Sequence, residues 1–140
     1  MISLALIPGV YEFAFMNEND LSYIIRGAIF RVYNTLGPGL FETVYELALC
    51  HELTKEGLSV RCQVELPVIY DNVRLDGGFR IDILVEELVI IEIKSVETLA
   101  EVHHKQVLTY LRLSSLKLGL LVNFNAPDIN KSIFRKVNRL

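Results

Sequence analysis

Three charges set inside otherwise apolar strands constrain this chain more than any other feature. The stretch Gly78–Ser95 reads GFRIDILVEELVIIEIKS. Two β-branched, apolar runs, Phe79–Val85 and Leu88–Ile93, flank Glu86 and Glu87. Each run has strand composition, and together they predict an antiparallel hairpin. Asp82, Glu92 and Lys94 interrupt the runs. A charge within a core strand costs several kcal/mol unless it is paired or bound to a metal.

Strand alternation makes the expectation specific. Glu92 and Lys94 share one face, Ile91 and Ile93 the other. Phe79, Ile81, Ile83 and Val85 are expected on one face of the first strand, with Arg80, Asp82 and Leu84 opposite. If the apolar faces lie together, Asp82 joins Glu92 and Lys94. A two-residue turn at Glu86-Glu87 would reverse this, because a slip of one residue flips the face. No Gly or Asn is present for the primed turns that such hairpins favour. The expectation is therefore a loop with an odd number of residues, or a bulge.

The rest of the chain supplies covering elements. Asn17, Asn19 and Asp20 are candidate caps for a helix carrying Leu21, Ile24, Ile25, Ala28, Ile29, Val32 and Leu36. Gly37-Pro38-Gly39 ends it. A second helix is expected from Leu40 to Glu56, stopping at Gly57, with Glu42, Tyr45, Glu46 and Leu49 along one side. Val60, Cys62, Val64 and Leu66 alternate with polar residues as a strand that ends near Pro67. Asp71-Asn72 and Asp76-Gly77-Gly78 are turns. A third helix is expected over Thr98–Ser114, and a buried strand over Leu118–Phe124. The tail Ser132–Leu140 is an edge strand or a short helix, with the strand favoured.

The predicted order is ααβββαβ(β), an α/β or α+β fold with helices flanking a mixed sheet. Residues 17–140 are expected to form one domain. Residues 1–16 are expected to be an N-terminal extension or a mis-assigned start, with Met1 and Met16 both open as the native start, or else an added strand or an arm packing on a partner chain.

Composition narrows the functional classes. Of 140 residues, 51% are hydrophobic, enough for a core, and no stretch is long and apolar enough to span a membrane. A net charge of −3 does not match a tight, nonspecific nucleic-acid binder, which is usually basic. Cys50 and Cys62 form no CxxC motif and suggest no disulfide framework, so a reducing, cytoplasmic setting is the simpler expectation. His51 with the two cysteines fits no common structural zinc spacing. His103 and His104 diverge by about 100° on a helix, so only one could face a site.

Asp82 followed ten residues later by Glu92-Ile93-Lys94 has a chemical logic. Two carboxylates can hold Mg²⁺ or Mn²⁺, which prefer hard oxygen ligands. Such a metal lowers the pKa of bound water and stabilises charge on a phosphate. Lys94 can stabilise the same charge. Glu42 could add a third carboxylate. Gln106 and Tyr110 lie one helical turn apart and can point at one place. Each also has a structural reading: an ion-pair cluster for the three strand charges, a favourable first-turn acid for Glu42, and helix packing for Gln106 and Tyr110. Tyr45 is expected to pack. Arg80 could meet a phosphate or pair with a carboxylate.

These motifs in this order resemble the PD-(D/E)XK nucleases with their restriction-endonuclease-like fold. Gln106-x-x-x-Tyr110 is similar to the Q-x-x-x-Y element of the RecB-like branch. Gly39-Leu40-Phe41-Glu42-Thr43-Val44-Tyr45 is similar to the motif that names the GxxExxY family. The resemblance covers about residues 17–125. It implies Asp82 and Glu92 as metal ligands, with the Ile93 carbonyl as a further ligand and Glu42 completing the acidic cluster. It implies Lys94 as catalytic, and Gln106 and Tyr110 as positioning the site or the nucleic acid. The superfamily's proline is replaced by Ile81.

Two functions follow as expectations. One is a Mg²⁺- or Mn²⁺-dependent phosphodiesterase acting on nucleic acid, DNA favoured over RNA. The alternative is a catalytically silent nuclease-like module binding nucleic acid or a protein partner. A homodimer would let two sites address two strands.

Overall fold

The computed structural model describes residues 16–140; the expected extension lies, but for Met16, outside the described residues. Among the described residues, three α-helices flank a five-stranded mixed sheet, the restriction-endonuclease-like arrangement expected. The first helix, α1 (Glu18–Leu36), starts at a capping box. The Asp20 N–H donates to Asn17 Oδ1 at 2.9 Å, and the Asn17 N–H donates back to Asp20 Oδ2 at 3.2 Å. Its stripe of Leu21, Ile25, Ala28, Ile29 and Val32 is buried. Gly37 ends the helix at φ +70°, a conformation that suits glycine. The second helix, α2 (Glu42–Lys55), buries only Tyr45, Leu49 and Leu53, and leaves its acidic side partly exposed.

The main sheet has the order β1-β4-β5-β6-β7. Its strands are β1 (Val60–Glu65), β4 (Arg80–Val85), β5 (Val89–Lys94), β6 (Leu118–Asn123) and β7 (Ile133–Val137). Only β5 and β6 run parallel, and the crossover between them carries α3 (Glu101–Ser114). The last helix begins three residues later than the spacing suggests. The tail forms edge strand β7, antiparallel to β6. Between β1 and β4 the chain adds a separate two-stranded ribbon, β2 (Val68–Tyr70) with β3 (Val73–Leu75). The predicted order lacked this pair, because three-residue strands are too short to leave a period. Its turn, Asp71-Asn72, has φ of 52° and 62°, the left-handed pair of a type I′ hairpin.

Both faces of the sheet are buried, so its central strands read as continuous apolar runs. All six residues of β6 are buried. On one side α1 and α2 pack on Ile83, Val85, Val89, Ile91, Ile93, Leu118, Leu120 and Val122. On the other, α3 lays Val107, Tyr110 and Leu111 on Ile81, Leu84, Ile90 and Leu121. The approach of α3 is close at Gly119, where a Cβ would stand 2.6 Å from Val107 Cγ1.

The β4–β5 hairpin has the odd loop. Val85 pairs with Val89, leaving Glu86, Glu87 and Leu88 between them. Glu86 and Glu87 adopt φ of 53° and 55°, so two acids occupy left-handed positions that usually fall to Gly or Asn. One expectation is corrected here. Ile81 packs in the α3 layer while Ile83 packs in the α1/α2 layer, so the two do not share a face. The alternation slips at Asp82. Across the ladder, the β1–β4 register passes from Cys62↔Ile83 to Val64↔Ile81, and Gln63 adopts φ +53°.

The cysteine reading is corrected as well. Cys50 on α2 and Cys62 on β1 are joined by a disulfide. The helix packs alongside the strand, which brings together two residues that sequence spacing gave no reason to pair. Among the described residues no helix is long and apolar enough to cross a membrane.

Candidate active site

The site forms where β4 and β5 are held together by side chains. The Asp82 N–H donates to Glu92 Oε1 at 3.0 Å, and the Ile93 N–H donates to Asp82 Oδ2 at 2.8 Å. Each carboxylate thus reaches a main-chain donor on the opposite strand. Ile93 enters this arrangement through its N–H.

The electrostatic cost of the pair is high. Glu92 is 3% exposed, and its carboxyl is pushed up to about 8, first by burial and then by the charge of Asp82. The Asp82 N–H and Lys94 oppose that rise. Burial likewise pushes Asp82 up, against the Ile93 N–H, Lys94 and Gln63, while Glu42 adds to the rise. A buried carboxyl, Glu92, and a half-buried one, Asp82, stand side by side with raised pKa, and a cation would relieve the cost of ionising them.

Lys94 ends β5, half-buried, and pairs across the parallel ladder with Asn123. It makes no salt bridge among the described residues. Its charge acts on both Asp82 and Glu92.

Glu42 reaches the site from the first turn of α2. Its Oε2 accepts from the Ser95 N–H at 3.2 Å, and the Ser95 hydroxyl donates to the Leu40 carbonyl at 2.5 Å. These two bonds pin the end of β5 to the start of α2. Tyr45 fixes the same loop from below, as packing. It is fully buried, stacked on Phe124 with centroids 4.4 Å apart, and its hydroxyl donates to the Gly37 carbonyl at 2.5 Å and accepts from the Leu40 N–H at 3.1 Å.

On the other side, Gln106 Nε2 donates to the Tyr110 hydroxyl at 2.9 Å. Tyr110 is buried, with Phe79 edge-on at 6.0 Å. Burial raises its phenol, and the charges of Glu92 and Asp82 raise it further. Asp82 and Glu92 are thus joined directly, the charge of Lys94 acts on both, that of Glu42 on Asp82, and theirs on Tyr110, to which Gln106 is hydrogen-bonded. Arg80 turns away and pairs with Glu65 at 3.4 Å on the surface. His103 is taken up as a helix-start acceptor, its Nδ1 accepting from the Ala100 N–H at 3.0 Å.

Two participants were not singled out from the sequence. Gln63 Nε2 donates to both oxygens of Glu46 at 3.0 Å and lies 3.4 Å from Asp82 Oδ1. The four-residue spacing of Glu42 and Glu46 could have flagged Glu46. Nothing in the sequence marks Gln63.

The donor set fits a hard divalent cation in its chemistry. The carboxylate oxygens come from adjacent strands, and burial disfavours their charge in the absence of a counter-ion. Among the described residues, no three His, Cys, Asp or Glu side chains converge closely enough to hold an ion by themselves. A cation here would keep several waters, which is the habit of Mg²⁺.

The family model of the PD-(D/E)XK nuclease superfamily matches residues 19–137. No curated protein and no solved structure gives a match.

Proposed function

The chain belongs to the PD-(D/E)XK nuclease superfamily, and on that premise we propose that it is a divalent-metal-dependent phosphodiesterase acting on nucleic acid, with DNA favoured over RNA. The cross-strand pair of half-buried Asp82 and buried Glu92, beside a lysine without a salt bridge among the described residues, carries this reading. Within the superfamily the chain is assigned to the GxxExxY family of the RecB-like branch, on Gly39–Tyr45 and on Gln106 with Tyr110.

Asp82 and Glu92 would hold Mg²⁺ or Mn²⁺, with Glu42 and the Ile93 carbonyl as further ligands. The ion, when bound, supplies an activated water and neutralises phosphate charge. The remaining roles fall to the chain. Ile93 and Asp82 orient the two carboxylates through their N–H groups. Lys94, whose charge acts on both, would meet the charge that grows on a phosphate oxygen. Gln106 holds the Tyr110 hydroxyl, which bounds the site on the α3 side. A net charge of −3 means that a bound phosphate backbone relies on local cations such as Lys94. Two copies side by side would address two strands.

The test is cleavage of single- and double-stranded DNA and RNA with Mg²⁺ or Mn²⁺, comparing wild type with an equally folded, identically purified Lys94→Ala variant. Cleavage by the wild type that is lost in the variant is the expected result and identifies the substrate class. Equal cleavage by both, or by neither, overturns the enzyme reading.

One observation favours a second reading. Because no three ligating side chains converge among the described residues, the fold could serve as a silent module that binds nucleic acid or a protein partner. Nucleic-acid binding unaffected by Asp82→Ala and independent of metal would select it.

A further inference from the structure

The Gln63 side chain does something that neither the metal-binding residues nor the packing of β1 requires. Gln63 is an exposed residue on an edge strand, yet its backbone is left-handed, at φ +53°. This conformation is uncommon outside glycine and asparagine, and in a strand it interrupts the ladder. The interruption falls opposite Asp82, at the position the β1–β4 register skips. Such departures survive where surrounding interactions hold them, and they concentrate at functional sites.

What the conformation achieves is a bridge. The Gln63 amide nitrogen donates to both oxygens of Glu46 at 3.0 Å, and its contact with Asp82 Oδ1 is 3.4 Å. An amide facing two carboxylates must present its nitrogen, since only that end donates. Glu46 lies one helical turn beyond Glu42 on α2, and Asp82 lies on β4. The bridge therefore links the acidic side of α2 to the central carboxylate pair. It leaves Asp82 Oδ2 on the Ile93 N–H and holds Oδ1 from the other side. Both oxygens of Asp82 are thereby oriented. Glu46, for its part, feels the charge of Asp82.

We infer that Gln63 is a positioning residue of the metal site: by bridging Glu46 and Asp82 it fixes the Asp82 carboxylate in the orientation that binds a divalent cation. The inference rests on the metal-dependent reading above. It adds Gln63 and Glu46 to the site as partners of a ligand. Partners of this kind typically carry 10–100-fold in metal affinity.

Binding of Mn²⁺ to the full chain, measured calorimetrically, tests this without relying on cleavage. The set comprises wild type, Asp82→Ala, Gln63→Met, Gln63→Gly, Glu46→Gln and the Glu46→Gln/Gln63→Met double variant. Gln63→Gly and Gln63→Met are each expected to weaken Mn²⁺ binding about tenfold, in the range such partners carry. Gln63→Gly relieves the left-handed backbone, so its thermal midpoint should equal or exceed that of the wild type. Weaker binding in a protein of undiminished stability is a result that a merely structural role would not produce. In the Glu46→Gln background, Gln63→Met should cost no more than about threefold, because the bridge is already weakened.

Wild-type affinity in both Gln63 variants, with binding lost in Asp82→Ala, would overturn the positioning role while leaving the metal reading intact. An equal cost of Gln63→Met in both backgrounds would remove Glu46 from the bridge and overturn the proposal as stated. A wild type that binds no Mn²⁺, or an Asp82→Ala variant that binds as well as wild type, would overturn the metal reading itself and this inference with it.

Discussion

Asp82 and Glu92 hold one another's strands: the Asp82 N–H donates to the Glu92 carboxylate at 3.0 Å, while the Asp82 carboxylate accepts from the N–H of Ile93, the residue after Glu92. Two carboxyls are kept adjacent by hydrogen bonds that run through the backbone between them. The pair is oriented without a cation, and its doubly ionised form is unfavourable without one.

That conflict predicts a pH dependence. The Glu92 carboxyl titrates near 8 in the folded protein, against an ordinary value of 4.5. Between these values the folded state retains a proton that the unfolded chain has released. Stability therefore falls as pH rises from about 4.5 to about 8, and levels above it. Asp82 is shifted in the same direction. Thermal midpoints recorded without divalent ions should decline across this window. Added Mn²⁺ should restore more stability at pH 8 than at pH 5, because it binds the ionised pair. A flat profile, or equal Mn²⁺ stabilisation at both pH values, would contradict this origin of the charge.

Neutralising one member should relieve the other. Asp82→Asn keeps an oxygen that can accept from the Ile93 N–H and removes the charge that helps push Glu92 up. At pH 8 and without metal, the variant should be more stable than wild type by about 1–2 kcal/mol, the scale of a one-unit pKa shift or slightly more. Its Mn²⁺ binding should be abolished. Chemical denaturation at pH 8 measures the first effect and calorimetry the second; a destabilised variant would show that the Asp82 charge is compensated within the protein.

The loop that carries Glu42 depends on Tyr45. Tyr45→Phe preserves the stacking on Phe124 and removes the hydroxyl shared by the Gly37 carbonyl and the Leu40 N–H. The loss should be about 1–2 kcal/mol, the cost of leaving part-buried backbone groups unpaired. Denaturant unfolding reads this directly, and an unchanged midpoint would mean that water replaces the hydroxyl.

The seat of α3 can be tested far from the carboxylates. Gly119→Ala would place a methyl 2.6 Å from Val107 Cγ1 in a fully buried layer. Overpacking of this kind costs about 1–3 kcal/mol. Because α3 also carries Gln106 and Tyr110, the variant should show altered tyrosine fluorescence along with a lower midpoint. A wild-type midpoint would show that the helix can move away without loss.

Local pattern determined much of this protein. The capping residues Asn17 and Asp20, the apolar stripe of α1, the alternation of β1 and the two central runs each depend on neighbours within a few positions, and those interactions have fixed periods. The absence of Gly or Asn at Glu86-Glu87 was enough to anticipate an odd loop, and the charges at Asp82 and Glu92 within apolar strands were enough to single out the pair that β4 and β5 join. Tertiary structure decided the rest. The slip of alternation at Asp82 arises because two carboxylates take main-chain donors across the strands, a balance invisible to a period-two rule. The left-handed Gln63, its bridge to Glu46, and the Cys50–Cys62 bond all arise where α2 lies against β1. Residues distant in sequence meet there, and neither partner carries a local signal of the other. Burial from both sides of the sheet, which pushes Glu92 up, likewise belongs to the packed layers and not to any stretch of sequence alone.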